Sequence, residues 1–71
     1  MYNDAINDYT KAIEMDPKNA YAYYNRGISY DKKGDYNLAI KDFAKAIELD
    51  PSKADFYHNK VLTHIGILMD R

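Results

Sequence analysis

With 71 residues the chain is at most one small domain, and a domain of this size buries only about 60% of the surface its unfolded form exposes, so its core is thin. It has no cysteine and a formal net charge of -1 at pH 7, which excludes a disulfide framework and a thiolate metal site and argues against a broad basic surface for nucleic acid. No apolar run approaches the roughly 20 residues that span a bilayer.

The N-terminus, Met1-Tyr2-Asn3-Asp4, has neither the basic start nor the apolar stretch of a secretory leader, and no asparagine begins an N-x-Ser/Thr acceptor site. The expected compartment is therefore cytoplasmic.

The first predicted helix covers residues 2–15, where Tyr2, Ala5, Ile6, Tyr9, Ala12 and Ile13 recur three and four apart as one apolar face. Asp16-Pro17 ends it, because the residue before a proline is pushed out of the helical region and proline lacks the N–H that the preceding turn needs. Asn19 then caps the second helix, residues 20–33. That helix carries two apolar stripes, Tyr23/Gly27/Tyr30 and Tyr21/Tyr24/Ile28, and so touches two things. Gly27 costs about 1 kcal/mol of helix propensity relative to alanine, which asks for a packing reason; close approach of a partner helix at Ala39 and Ala46 supplies one.

Gly34 ends the second helix and Asp35 caps the third, residues 36–49, whose buried set is Ala39, Ile40, Phe43, Ala46 and Ile47. Asp50-Pro51 stops it as Asp16-Pro17 stopped the first. Ser52-x2-Asp55 reads as a capping box for a fourth helix over 53–69. There Tyr57, Val61, Ile65 and Leu68 line one face, with Leu62 and Met69 beside them and Phe56 and Ile67 opposite.

Residues 2–18 and 36–52 share eleven of seventeen positions. Such a fixed offset marks stacked supersecondary units. The unit centred on 20–53 reads Tyr23-x2-Arg26-Gly27-x2-Tyr30, Gly34-Asp35-Tyr36, Ala39-x3-Phe43-x2-Ala46 and Asp50-Pro51, and it resembles a tetratricopeptide repeat, a helical hairpin of about 34 residues. The resemblance implies an all-α fold: four antiparallel helices stacked as a short solenoid. Residues 1–19 hold the second helix of a partial repeat, 20–53 a complete repeat, and 54–71 the first helix of a diverged one. Arg26 stands where the family usually has leucine, so its stem is expected to pack while its head reaches water.

The resemblance further implies a non-catalytic interaction module without a cofactor, binding a peptide or partner helix in a concave groove. Its groove positions fall on Tyr21, Tyr24, Asn25, Ile28 and Lys32, continued by Asp55, His58, Asn59 and Leu62. Tyrosines suit such a partly wet surface, since each joins a large apolar area to a polar tip; the competing reading is that they only cover the neighbouring helix. One subclass of the family clamps a peptide's C-terminal carboxylate with groove asparagines and cations. Asn25 and Asn59 lie where such asparagines occur, but Tyr21 and Asp55 stand one turn earlier in place of cations, and a full clamp draws on more repeats.

No residues support an enzyme. His58 and His64 are six apart, not at the i, i+4 spacing that lets two imidazoles share a metal, and Asp55 with His58 has no nucleophile beside it. The incomplete ends suggest a second function, self-association. In it the last helix of one copy (Tyr57, Val61, Ile65, Leu68) packs on the first helix of another (Tyr2, Ile6, Tyr9, Ile13), giving rings or filaments, or a two-fold dimer through paired last helices. The opposing reading is that the ends are those of a segment cut from a longer array.

Overall fold

The computed structural model describes residues 1–69; positions 70 and 71 of the 54–71 segment lie outside the described residues. It is all-α, with helices α1 (Tyr2–Met15), α2 (Ala20–Lys33), α3 (Tyr36–Leu49) and α4 (Ala54–Leu68). Each packs on the next, most extensively α2 on α3; α2 also touches α4, whereas α1 meets neither α3 nor α4.

The punctuation of the sequence sets these boundaries. At both Asp-Pro steps the aspartate backbone is extended, with φ -143° and ψ 90° at Asp16 and φ -146° and ψ 86° at Asp50, as the following proline requires. Each carboxylate then accepts the backbone N–H two residues on, from Lys18 and from Ser52, both at 3.2 Å. The two turns share the Asp-Pro step and this backbone geometry.

Asn19 caps α2 by accepting the Ala22 N–H at 3.1 Å. At the other end Gly34 takes φ 97°, which disfavours any residue with a Cβ. Its N–H reaches the Asp31 carbonyl while the Asp35 N–H reaches the Tyr30 carbonyl, closing a Schellman motif. Two expected caps are absent. Asp35 precedes α3 without a side-chain cap bond. Ser52 does not cap α4, because its hydroxyl donates to Asp50 at 2.6 Å and the N-cap position falls on Lys53.

The core lies where α3 meets α2 and α4. Ala39, Phe43, Ala46 and Phe56 are fully buried and Ala22 nearly so. Gly27 brings α2 against α3: a Cβ there would lie 2.7 Å from the Phe43 ring and 3.2 Å from the Ala39 carbonyl oxygen. The packing reason expected for this glycine is thus present, with the Phe43 ring rather than Ala46 as its nearest neighbour.

Arg26 departs from expectation. Its guanidinium does not reach out to water but donates to both carboxylate oxygens of Asp42, at 2.7 and 2.8 Å, and to the Thr10 hydroxyl at 3.2 Å. Thr10 in turn donates to the Ile6 carbonyl at 2.7 Å. One arginine ties three helices, and the Tyr23 and Tyr30 rings lie 5.6 and 5.8 Å from its guanidinium carbon.

Candidate functional site: the face shared by α2 and α4

The tyrosine stripe of α2 meets α4 through Phe56. Tyr21 packs edge-on against Phe56, ring centres 5.2 Å apart, and Tyr24 lies 4.7 Å from it at a tilt of 35°. Tyr24 also reaches Phe43, at 5.9 Å, which joins the surface aromatics to the core. These contacts exist because Phe56 occupies the position in α4 that Ala22 occupies in α2, and both point inward.

The tyrosines therefore cover α4, as one reading of the sequence held, yet they stay partly open. Tyr21 remains 45% exposed with the Lys53 ammonium 5.8 Å from its ring centre. Tyr24, Asn25, Ile28 and Asn59 are half-buried, while Lys32, Asp55, His58 and Leu62 are exposed. A hydrogen bond from the Asn59 side-chain amide to the Tyr24 hydroxyl, at 2.8 Å, bridges the two helices. The same nitrogen donates to the Asp55 carbonyl at 3.1 Å. Both Asn59 N–H groups are thus engaged within the chain, leaving none for a ligand carboxylate.

Burial raises the Tyr24 phenol above its ordinary pKa, helped by the nearby Asp55 charge and by Tyr21. A second link between these helices lies further along: Thr63, almost fully buried, donates to Asp31 at 3.0 Å. Asp55 and His58 form no hydrogen bond with each other among the described residues.

On the opposite side of α2 an open cleft of about 420 Å³ lies between Tyr23, Arg26 and Tyr30 of α2 and Leu38, Asp42 and Lys45 of α3. The sequence does show the Tyr23/Tyr30 stripe. It gives no local sign of the Arg26–Asp42 pair in the cleft, whose members are 16 residues apart.

Of the residues expected to mediate self-association, those on α4 face outward: Tyr57, Val61, Ile65 and Leu68 are 44%, 55%, 48% and 83% exposed. Those on α1 divide. Tyr2 is exposed, Tyr9 and Ile13 are half-buried, and Ile6 is buried within the chain, leaving little of it to offer a second copy. No described helix is long and apolar enough to cross a membrane.

Helical hairpins repeated in register, with their first helices side by side, define a helical-repeat protein. A tetratricopeptide-repeat family model matches residues 20–53 and a second TPR-repeat model matches residues 1–34. The chain belongs to the tetratricopeptide repeat family, whose repeats generally mediate protein–protein interactions and are typically non-catalytic.

Proposed function

We propose that this chain binds an extended peptide or a partner helix across the face shared by α2 and α4. The observation that carries this reading is the aromatic platform of Tyr21, Tyr24 and Phe56, which spans both helices and leaves Tyr21 half open to solvent. Large aromatic surfaces with polar tips concentrate binding energy at interfaces. Lys32, Asp55, His58 and Leu62 flank the platform in sequence and offer both charge and apolar contact.

Panning a displayed 12-residue peptide library against the protein tests this. Selected peptides are expected to lose about tenfold in affinity on Tyr21→Ser or Leu62→Ser, the scale of a moderate interface hot spot, and to be indifferent to Lys11→Ser on α1. Peptides that ignore both groove substitutions would sink the proposal.

A second reading, a self-assembling scaffold, is favoured by the exposed apolar line of Tyr57, Val61, Ile65 and Leu68 on α4. It predicts a mass by light scattering that rises with concentration and returns to that of one chain in Ile65→Asp/Leu68→Asp. A concentration-independent monomer leaves the groove reading standing alone.

A further inference from the structure

We propose that the open cleft between α2 and α3 is a second recognition surface, and that it takes an extended acidic segment of a partner protein, with an apolar residue on either side of its carboxylates. The cleft lies on the side of α2 opposite the α2–α4 face, so it stands whether or not that face binds a peptide. Both of its walls fall inside residues 20–53, the span of one family match.

Charge decides the sign of the occupant. The cleft is lined by three cations, Arg26, Lys41 and Lys45, and by two carboxylates, Asp42 and Glu48, which leaves one positive charge. The carboxylates are already taken. Both Asp42 oxygens accept from Arg26, and Glu48 lies 3.4 Å from the Lys45 ammonium. The donors are not exhausted. A guanidinium has five N–H groups, and Arg26 uses two on Asp42 and one on Thr10, so that one N–H is left on each of its terminal nitrogens. Lys41 is exposed and has no ion-pair partner among the described residues. A carboxylate entering the cleft therefore meets unused charged donors, the stronger kind of hydrogen bond, whereas a cation finds both carboxylates engaged.

Shape adds the apolar flanks. Tyr23 and Tyr30 are half-buried and lie on either side of the Arg26 guanidinium, at 5.6 and 5.8 Å from its carbon, while Leu38, 45% exposed, lines the α3 wall. The two tyrosines are seven residues apart, about 10 Å along a helix that rises about 1.5 Å per residue. In a polyproline-II chain residues three apart share a face and stand about 9 Å from each other. A segment reading apolar, acid, acid, apolar thus sets its ends against the two rings and its carboxylates between them, near Arg26 and Lys41. The cleft volume, about 420 Å³, is that of a ligand site rather than a surface dimple.

The test is an NMR titration of the isotope-labelled protein with the end-blocked peptide Gly-Leu-Glu-Glu-Leu-Gly, carried to about 5 mM so that a weak complex is still seen. Shifts are expected at the Arg26 Nε–H and at the Tyr23, Tyr30 and Lys41 amides, and not at Tyr21 or Leu62. Exchanging both peptide glutamates for glutamine should weaken binding about tenfold or more. Lys41→Glu should do the same, and the peptide with two lysines in place of the glutamates should bind that variant better than it binds the parent. Lys41 is exposed and unpaired, so its replacement leaves the fold standing, which circular dichroism checks. Tyr21→Ser, which tests the α2–α4 face, should leave this binding unchanged. Absence of shifts around Arg26 at the highest concentration overturns the proposal, and so does equal binding of the glutamine peptide. Shifts confined to Tyr21, Tyr24 and Leu62 overturn it as well, and place the acidic peptide on the α2–α4 face instead.

Discussion

Arg26 and Asp42 meet through two parallel hydrogen bonds of 2.7 and 2.8 Å, and both side chains are largely withdrawn from water, 19% and 8% exposed. The bond to Asp42 keeps the guanidinium charged against the burial that opposes it. A pair of this kind is costly to break from one side and cheap to replace whole, because the partner left behind is a desolvated charge. Asp42→Leu is therefore expected to cost about 2–3 kcal/mol in urea unfolding and Arg26→Leu about 2 kcal/mol, whereas Arg26→Leu/Asp42→Leu should lie within about 1 kcal/mol of the parent. A double-mutant cycle with a coupling below about 0.5 kcal/mol would contradict this account.

Gly27 poses the opposite problem, since alanine there improves helix propensity by about 1 kcal/mol while its Cβ meets a fully buried ring. The ring cannot swing clear because Phe43 is enclosed, and the Ala39 carbonyl behind it is backbone. Overpacking costs about 1–3 kcal/mol. Gly27→Ala should thus be destabilising by about 1 kcal/mol and Gly27→Val by more, read as thermal midpoints by circular dichroism. Phe43→Leu in the alanine background should recover part of the loss; if it deepens the loss instead, the clash is not with the ring.

The element boundaries were legible because short-range chemistry fixes them: Asp16-Pro17, Asn19, Gly34 and Asp50-Pro51 each act within a few residues of chain. Where two local bonds compete, the sequence was less decisive. Ser52 has the spacing of a cap for α4, but Asp50 lies closer and takes its hydroxyl. Side-chain destinations across helices were harder still. The pairing of Arg26 with Asp42 depends on how two helices are rotated against each other, and no spacing within either encodes it. Which side of α4 turns inward was hidden by apolar residues on several faces. The repeat register, which gives Phe56 the same place in α4 as the buried Ala22 has in α2, is the signal that would have found it. Tyr21 and Tyr24 share a stripe of α2 that the sequence shows, but their engagement with Phe56 and Asn59 depends on α4 and cannot be read from α2 alone.

At the α3–α4 turn, hydrogen bonds from the Ser52 hydroxyl and then from its backbone N–H hold the Asp50 carboxyl below its ordinary pKa, with Lys53 adding to the effect. A depressed carboxylate contributes stability that is present above the unfolded value, about 3.9, and is lost as pH falls through the lower folded value. Ser52→Ala removes the leading cause while keeping the N–H. Its unfolding curve should separate from that of the parent above about pH 5 and draw toward it as the pH falls through the folded value. A difference that grows toward acid would have the wrong sign.

Tyr24 governs the alkaline side. Its phenol is raised by burial first and by Asp55 and Tyr21 after that, so the folded state favours the neutral form. The contribution is fully present below the unfolded value, about 10, and is lost as pH rises through the higher folded value. In a spectrophotometric titration of the eight tyrosines, Tyr24 should be among the last to ionise. Tyr24→Phe removes the acceptor of the Asn59 amide and should cost about 0.5–1.5 kcal/mol at neutral pH. It should also flatten the fall in stability above about pH 10, because the residue whose ionisation opposes folding is gone. Asn59→Ala separates the two effects, giving up the hydrogen bond but keeping the phenol. If its alkaline profile is as flat as that of Tyr24→Phe, some other group on this face is responsible for the pH dependence, and the assignment to Tyr24 fails.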